Sequence, residues 1–300
     1  MNREQFLVQP DVDGFVEWLS SFSATVVADL NIGRSAYVPR AIIGTVRGLD
    51  AILDTYAWRA SWIDTNGETV ESLHWDSTAR SLDRLGRSLR DALAAGSADG
   101  ARHACGMVFR WGGERDPNKG ARPFIEQQFA ARRLVTYLDT TRAAFNLGTG
   151  GLDQLGCVEA MNSMLTKVHA LASGDGLPIY DSRVAAAIAS LVEIFRLQRK
   201  PQWKTIPDEL LFPTMANEAR RKVVALNPRA MVSTRTLMRY NSSGIARTWA
   251  SAKLRLGWII EAVLERTPEL LRHQPHSRQH AFEASLFMLG YDVGCLSGNL

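Results

Sequence analysis

Residues 11–30 place Phe15, Trp18, Leu19, Phe22, Val26 and Leu30 at three- and four-residue spacings. That periodicity predicts one amphipathic helix. Residues 77–95 return to the same pattern and predict a second. The stretch between them differs. Trp58, Trp62 and Ile63 precede Thr65-Asn66-Gly67-Glu68, and Val70, Leu73 and Trp75 follow. Asn-Gly between aromatic and β-branched residues is a hairpin signal, so a small antiparallel element is expected here. Residues 94–100 are small and predict a loop. Gly112 to Gly120 form a polar loop flanked by Phe109 and Trp111, without the spacing of a phosphate-binding loop. Residues 123–145 predict a helix that Gly148-Thr149-Gly150-Gly151 stops. Six helical segments follow, over about 152–161, 165–172, 182–198, 208–226, 243–265 and 278–290. The expected fold class is mainly α with a minor β element near the N-terminus.

Composition narrows the class. The chain has 300 residues, 46% hydrophobic and 22% charged, enough for a large core. No apolar run approaches a membrane span and the N-terminus has no signal-peptide pattern, so a cytoplasmic, monomeric protein is expected. Cys105, Cys157 and Cys295 lie far apart and form no CxxC or Cys/His cluster. A disulfide framework, a zinc site and an iron–sulfur cluster are not expected, nor is any other cofactor. The net charge of +4 is small, but it is unevenly spread. Residues 215–260 carry Arg220, Arg221, Lys222, Arg229, Arg235, Arg239, Arg247, Lys253 and Arg255 against Glu218 alone. Such a block reads either as a solvated basic helix face or as a surface that neutralises phosphates.

Residues 152–184 carry the candidate chemistry. A helix with Leu152, Leu155 and Val158 is expected to end near Met161. Asn162-Ser163-Met164 then leads into a second helix with Thr166, Lys167, His169 and Leu171. Ser173-Gly174-Asp175-Gly176 ends it. Leu177-Pro178-Ile179-Tyr180 is extended, because proline disfavours helix at the residue before it. Asp181 stands where the next helix begins, as an N-cap. The pattern sets a lysine and a carboxylate at two helix starts joined by a short return. A neutral lysine amine can attack a sugar C1′ carbon. A carboxylate beside it can stabilise the positive charge that develops there. Taken singly, Lys167 also reads as a surface lysine and Asp181 as an ordinary cap.

At Thr166-Lys167-Val168 and Leu177-Pro178-Ile179-Tyr180-Asp181-Ser182-Arg183-Val184 the chain resembles the helix-hairpin-helix DNA glycosylases, in particular the 8-oxoguanine glycosylase branch. The resemblance covers about residues 130–295. It implies that Lys167 is the nucleophile and Asp181 the second catalytic residue. Phe282-Glu283-Ala284-Ser285-Leu286-Phe287 resembles the family helix that lines the base pocket, which implies base contacts for Glu283 and Phe287, with Leu171 beside them. It also implies double-stranded DNA with an extruded base as partner, and DNA contacts for Asn162, Ser163, Thr166, Arg183, Trp203, Arg247 and Lys253. Trp203 reads equally as core packing. Domains of 1–100 (helices and hairpin) and 101–300 (glycosylase-like, with the hairpin at 152–172 and the pocket helix at 278–290) are expected.

The chain departs from the family at four points. Met161-Asn162-Ser163-Met164-Leu165 has no glycine where the hairpin usually reads Leu-Pro-Gly-x-Gly. The interval from Lys167 to Asp181 is 14 residues, shorter than is usual. Arg183 stands where many members have histidine. Glu283 stands where a neutral amide is usual, and offers acceptors only. It suits a base edge rich in N–H donors, as in guanine or cytosine. The expected function is therefore a DNA glycosylase with abasic-site lyase activity, on oxidised guanine in repair or a modified cytosine of foreign DNA in defence. A non-catalytic helical DNA-binding protein, and a helical interaction protein without a nucleic-acid role, are the rivals.

Overall fold

The first predicted helix ends early. A computed structural model describes residues 1–300 except 115, 117, 119, 216–230, 233–242, 275–276 and 300. In it α1 (Arg3–Leu7) and α2 (Pro10–Ser23) are followed by β1 (Val27–Ile32). The run Thr25-Val26-Val27 is β-branched and favours extended backbone. Ala28, Leu30 and Ile32 then alternate inward with period two. The spacing of Val26 and Leu30 fits a helix, but their neighbours fit a strand. β1 pairs antiparallel with β2 (Ile42–Arg47), with Val27 opposite Arg47 and Ile32 opposite Ile42. α3 (Leu49–Asp54) leads to the predicted hairpin, β3 (Ala60–Ile63) with β4 (Thr69–Ser72), which turns through Asn66-Gly67.

α4 (Trp75–Ala94) and α5 (Ala98–Trp111) follow. The predicted loop over 94–100 is confined to the residues between them, because Ser97 caps α5 by accepting from the Gly100 amide. The helix predicted over 123–145 is two, α6 (Arg122–Ala130) and α7 (Leu134–Ala144). The chain reverses between them at Arg132, whose φ is +57°. A further correction falls on the predicted hairpin. Residues 152–161 hold only a 3-10 turn at Gln154–Cys157. Their backbone is committed elsewhere: the Leu152 amide donates to the Met1 carbonyl, and Gly151 bridges to Asn2.

α8 (Leu165–Ser173) and α9 (Ser182–Arg199) match the expected helices. The helix predicted from 208 is absent over its described part, which is a 3-10 turn at Asp208–Leu210 and a short strand, β5 (Thr214–Met215), parallel to β6 (Met231–Val232). The rest of that prediction lies outside the described residues. α10 (Ser243–Arg266) and α11 (Arg278–Leu289) complete the chain, with a 3-10 segment at Val293–Asn299. The molecule is thus mainly helical, with small two-stranded sheets in its first third. None of the described helices is long and apolar enough to cross a membrane.

Three contacts set the site. α8 is buried on every side from Leu165 to Ala172. α10 is bonded to the chain on either side of α8 in sequence: Trp249 Nε1 donates to the Tyr180 carbonyl, and Trp258 Nε1 to the Leu147 carbonyl. α11 packs on the start of α9, where Gly290 lies so close that a methyl group there would overlap the Arg183 carbonyl oxygen. The β1–β2 pair is tied to the C-terminal segment by Asn299, whose amide exchanges hydrogen bonds with Val27 N and O.

Candidate active site

Lys167, Asp181, Glu283 and Phe287 line one cavity. Its other walls include Tyr56, Trp58, Trp75 and Trp111. Lys167 lies in the first turn of α8. Asn162 Oδ1 accepts from the Met164 and Leu165 amides at 2.8 and 2.9 Å, which starts that helix. Lys167 Nζ donates to the Ser163 carbonyl at 2.8 Å. The residue is only 6% exposed. Burial lowers its pKa below the ordinary lysine value, against the pull of Asp181 and Glu283, and Arg183 lowers it further. The residue before Lys167's stem from the facing side is Gly112: a methyl there would lie 3.1 Å from Lys167 Cδ.

Asp181 is the N-cap of α9, as its sequence position predicts. Its Oδ1 accepts from the Arg183 and Val184 amides at 2.8 and 3.1 Å. Oδ2 takes no hydrogen bond from the described residues and remains for the cavity. Glu283 comes from the middle of α11. Its Oε2 accepts from the Ile179 amide at 3.3 Å, and His280 Nδ1 stands 3.5 Å from the same oxygen without bonding to it. Oε1 has no partner among the described residues. Tyr56 keeps its phenol proton, because burial and the nearby Glu283 push it well above its usual value.

The ring system around the cavity is continuous. Trp58 and Phe287 meet edge to face with centroids 5.7 Å apart, and Phe287 meets Tyr56 at 5.8 Å. Arg183 stands over three of these faces, 4.4 Å from Tyr291, 5.0 Å from Phe287 and 5.5 Å from Trp58. A guanidinium over aromatic faces gains cation–π attraction. The cavity measures about 30 Å³, room for little more than water. Ligand pockets are typically about 300–1,000 Å³. The rings must part before a ligand of that size can enter.

Other predicted contacts are corrected. Leu171 lies one turn beyond Lys167, and lines a different cavity, with Arg90 bonded to its carbonyl. Thr166 is fully buried, and its hydroxyl accepts from the Tyr180 amide and Lys253. Lys253 is equally buried, so it is not a phosphate contact. Its ammonium donates to the Thr166 carbonyl and hydroxyl at 3.0 and 3.3 Å and to the Pro178 carbonyl. It therefore joins the segment carrying Lys167 to the segment carrying Asp181. Arg255, from the same basic block, is spent on the carbonyls of Asp208, Glu209 and Leu211. Asn162 is buried, its side-chain oxygen used in the turn. Trp203 packs edge-on against Phe195, with Lys200 over its face, which makes it a packing residue rather than a free wedge. Ser163 and Arg247 are exposed. Arg220, Arg221, Lys222, Arg229, Arg235 and Arg239 lie outside the described residues.

Sequence reasoning missed Tyr56, Trp58 and Trp75 as site residues. The density of aromatics between residues 56 and 75 was the available signal. Among the described residues no group of three or more His, Cys, Asp or Glu could hold a metal ion. Cys105, Cys157 and Cys295 are free thiols. No protein-family model matches the sequence, and no curated protein and no solved structure matches it either.

Proposed function

We propose that this protein is a DNA glycosylase that attacks an extruded nucleotide with Lys167. One observation carries the reading: a buried lysine of lowered pKa, an N-cap aspartate whose Oδ2 has no partner among the described residues and an acceptor-only glutamate share one aromatic-walled cavity. Aromatic walls suit a flipped base, which is read by stacking and by hydrogen bonds to its edge. Burial favours the neutral amine that nucleophilic attack requires.

The course follows from these groups. The nucleotide leaves the stack and the rings of Trp58 and Phe287 part to admit the base. Glu283 Oε1 accepts from the base's N–H edge. The Lys167 nitrogen forms a bond to C1′ as the C1′–N glycosidic bond breaks, and the base departs with that electron pair and a proton. Asp181 Oδ2 stabilises the positive charge at C1′ in the transition state. Ring opening of the sugar gives a Schiff base on Lys167, from which β-elimination breaks the strand. Oxidised guanine and modified cytosine both present N–H donors to Glu283.

Borohydride reduction tests the reading. Wild-type protein mixed with duplexes bearing candidate bases should yield a covalent adduct, and Lys167→Ala should yield none. Asp181→Asn should slow base release on the order of 100-fold or more, with DNA affinity preserved. Base release that survives Lys167→Ala would remove the nucleophile assignment. The water-sized cavity favours a second reading, a DNA-binding protein that has kept the scaffold without the chemistry. Binding without release or adduct across a broad panel, including modified cytosines, would select it.

A further inference from the structure

A larger cavity lies directly behind the aromatic wall of the Lys167 site. It measures about 650 Å³ and is lined by Tyr37, Arg59, Arg110, Trp111, Glu114 and Arg122, among others. Trp111 belongs to both cavities. Tyr37, on the outer side, lies flat on Trp58, on the inner side, with ring centroids 4.0 Å apart and planes within 1°. The stacked rings of Tyr37 and Trp58, with Trp111, therefore separate the two. A second cavity of about 490 Å³ shares Arg110 and Arg122 and extends the first toward Arg102 and His103. Together they make one trough that starts at the site.

The larger cavity carries an excess of positive charge, with Arg59, Arg110 and Arg122 against Glu114. Arg59 and Arg110 are exposed, and neither forms an ion pair among the described residues. The Arg122 guanidinium stands 5.8 Å over the Phe109 ring. Most acids nearby are already engaged. Glu114 accepts from the Ala121 and Arg122 amides, Asp64 pairs with Arg84 at 2.6 Å, and Glu126 pairs with Arg102 at 2.8 Å. Asp99, at the far end, is the exception. Arginine presents a planar fork that fits phosphate oxygens in pairs. Of the basic block over residues 215–260, Lys253 and Arg255 are buried and bonded to carbonyls.

We infer that the trough behind Trp111, with Arg59, Arg110 and Arg122, is a binding site for the phosphodiester backbone of the DNA strand that delivers a nucleotide to the Lys167 cavity. The inference rests on the glycosylase reading for what lies beyond Trp111, but the phosphate contacts stand independently of chemistry at Lys167. The strand would be gripped by its backbone alone, so binding there is blind to sequence.

The test is a salt titration of full-length protein on a labelled 20-base-pair duplex carrying a non-cleavable abasic-site analogue, read by anisotropy. Three proteins are compared: wild type, the double variant Arg59→Ala plus Arg110→Ala, and Arg87→Ala as an exposed control on α4. Each lost phosphate contact lowers the slope of log K against log salt by about 0.9. The double variant should therefore lose about 1.8 from the slope, which is about 60-fold in the affinity gained between 1 M and 100 mM salt. Arg87→Ala should bind as wild type does. An unchanged slope, or a lost affinity with an unchanged slope, overturns the inference. Displacement of the duplex by polyglutamate at equal charge assigns the trough to acidic protein and overturns it too. The two readings fail separately. Base release with an unchanged slope removes the trough alone, whereas the expected slope change without base release or adduct removes the glycosylase alone.

Discussion

Lys253 shows how far a single residue's role depends on what surrounds it. In the sequence it is one of nine cations in a basic block, yet its ammonium is inside the molecule, held by Thr166 and Pro178. Burial lowers its pKa to about 7, against Glu283 and Asp175, with Lys167 lowering it further. An unfolded lysine titrates near about 10.4. Between about pH 7 and that value the unfolded chain binds more protons than the folded one, so this residue adds stability as pH rises and withdraws it as pH falls. The slope from one group cannot exceed about 1.4 kcal/mol per pH unit. Urea midpoints for wild type and Lys253→Met, compared from about pH 7 to about pH 8.5, should diverge in favour of wild type as pH rises. Parallel curves would show that Lys253 does not titrate there. The window stops short of the thiols, because burial pushes Cys105 and Cys295 up to about 12, which acts in the opposite sense above the ordinary thiol range.

The residue scale also shows what the sequence could reveal. Asp181 was legible because proline three residues earlier and an Asx cap fix its local geometry. Glu283 and Phe287 were legible as one face of a helix, four residues apart. Leu171 stands at the same spacing from Lys167, but the cavity faces only the first turn of α8. Thr166 and Lys253 read as DNA contacts because a polar side chain carries no mark of burial. Their partners come from segments whose approach is a tertiary fact.

At the scale of elements, the site depends on how α11 meets α9. Gly290 has φ −78°, a conformation open to any residue, so the constraint is space alone. Gly290→Ala should force α11 away from the Arg183 carbonyl and separate Glu283 and Phe287 from Asp181. Overpacking of this kind costs about 1–3 kcal/mol. The urea midpoint should fall accordingly, and adduct formation should fall with it; a variant of wild-type stability would show that the helix ends yield freely. Elements also mark where periodicity misled. Val26 and Leu30 satisfy a helical spacing inside a strand, and residues 152–161 lose their helix to pairing with the N-terminus. The Asn66-Gly67 hairpin succeeded because its turn chemistry is local.

Across the whole molecule, the first hundred residues are part of the site. Tyr56, Trp58, Trp75 and Leu82 face Lys167 and Asp181 across about a hundred residues of sequence. That convergence is long-range packing, which no local pattern encodes. It also supplies a reporter. Three of the eight tryptophans, Trp58, Trp75 and Trp111, line the cavity. Saturation with a duplex carrying an abasic-site analogue should change the intrinsic emission, and Trp58→Phe should remove much of that change. Constant emission at saturation would show that the rings stay closed over bound DNA.

The closed cavity has a thermodynamic corollary. When only a fraction of molecules is open, every base binds more weakly by that same fraction; at one open molecule in about a hundred the loss is about 100-fold. A factor common to all bases cancels from any ratio of affinities. If the protein is the glycosylase proposed above, closure limits how often the pocket is occupied, and the choice among bases falls to contacts formed after opening, above all to Glu283 Oε1, which has no partner among the described residues.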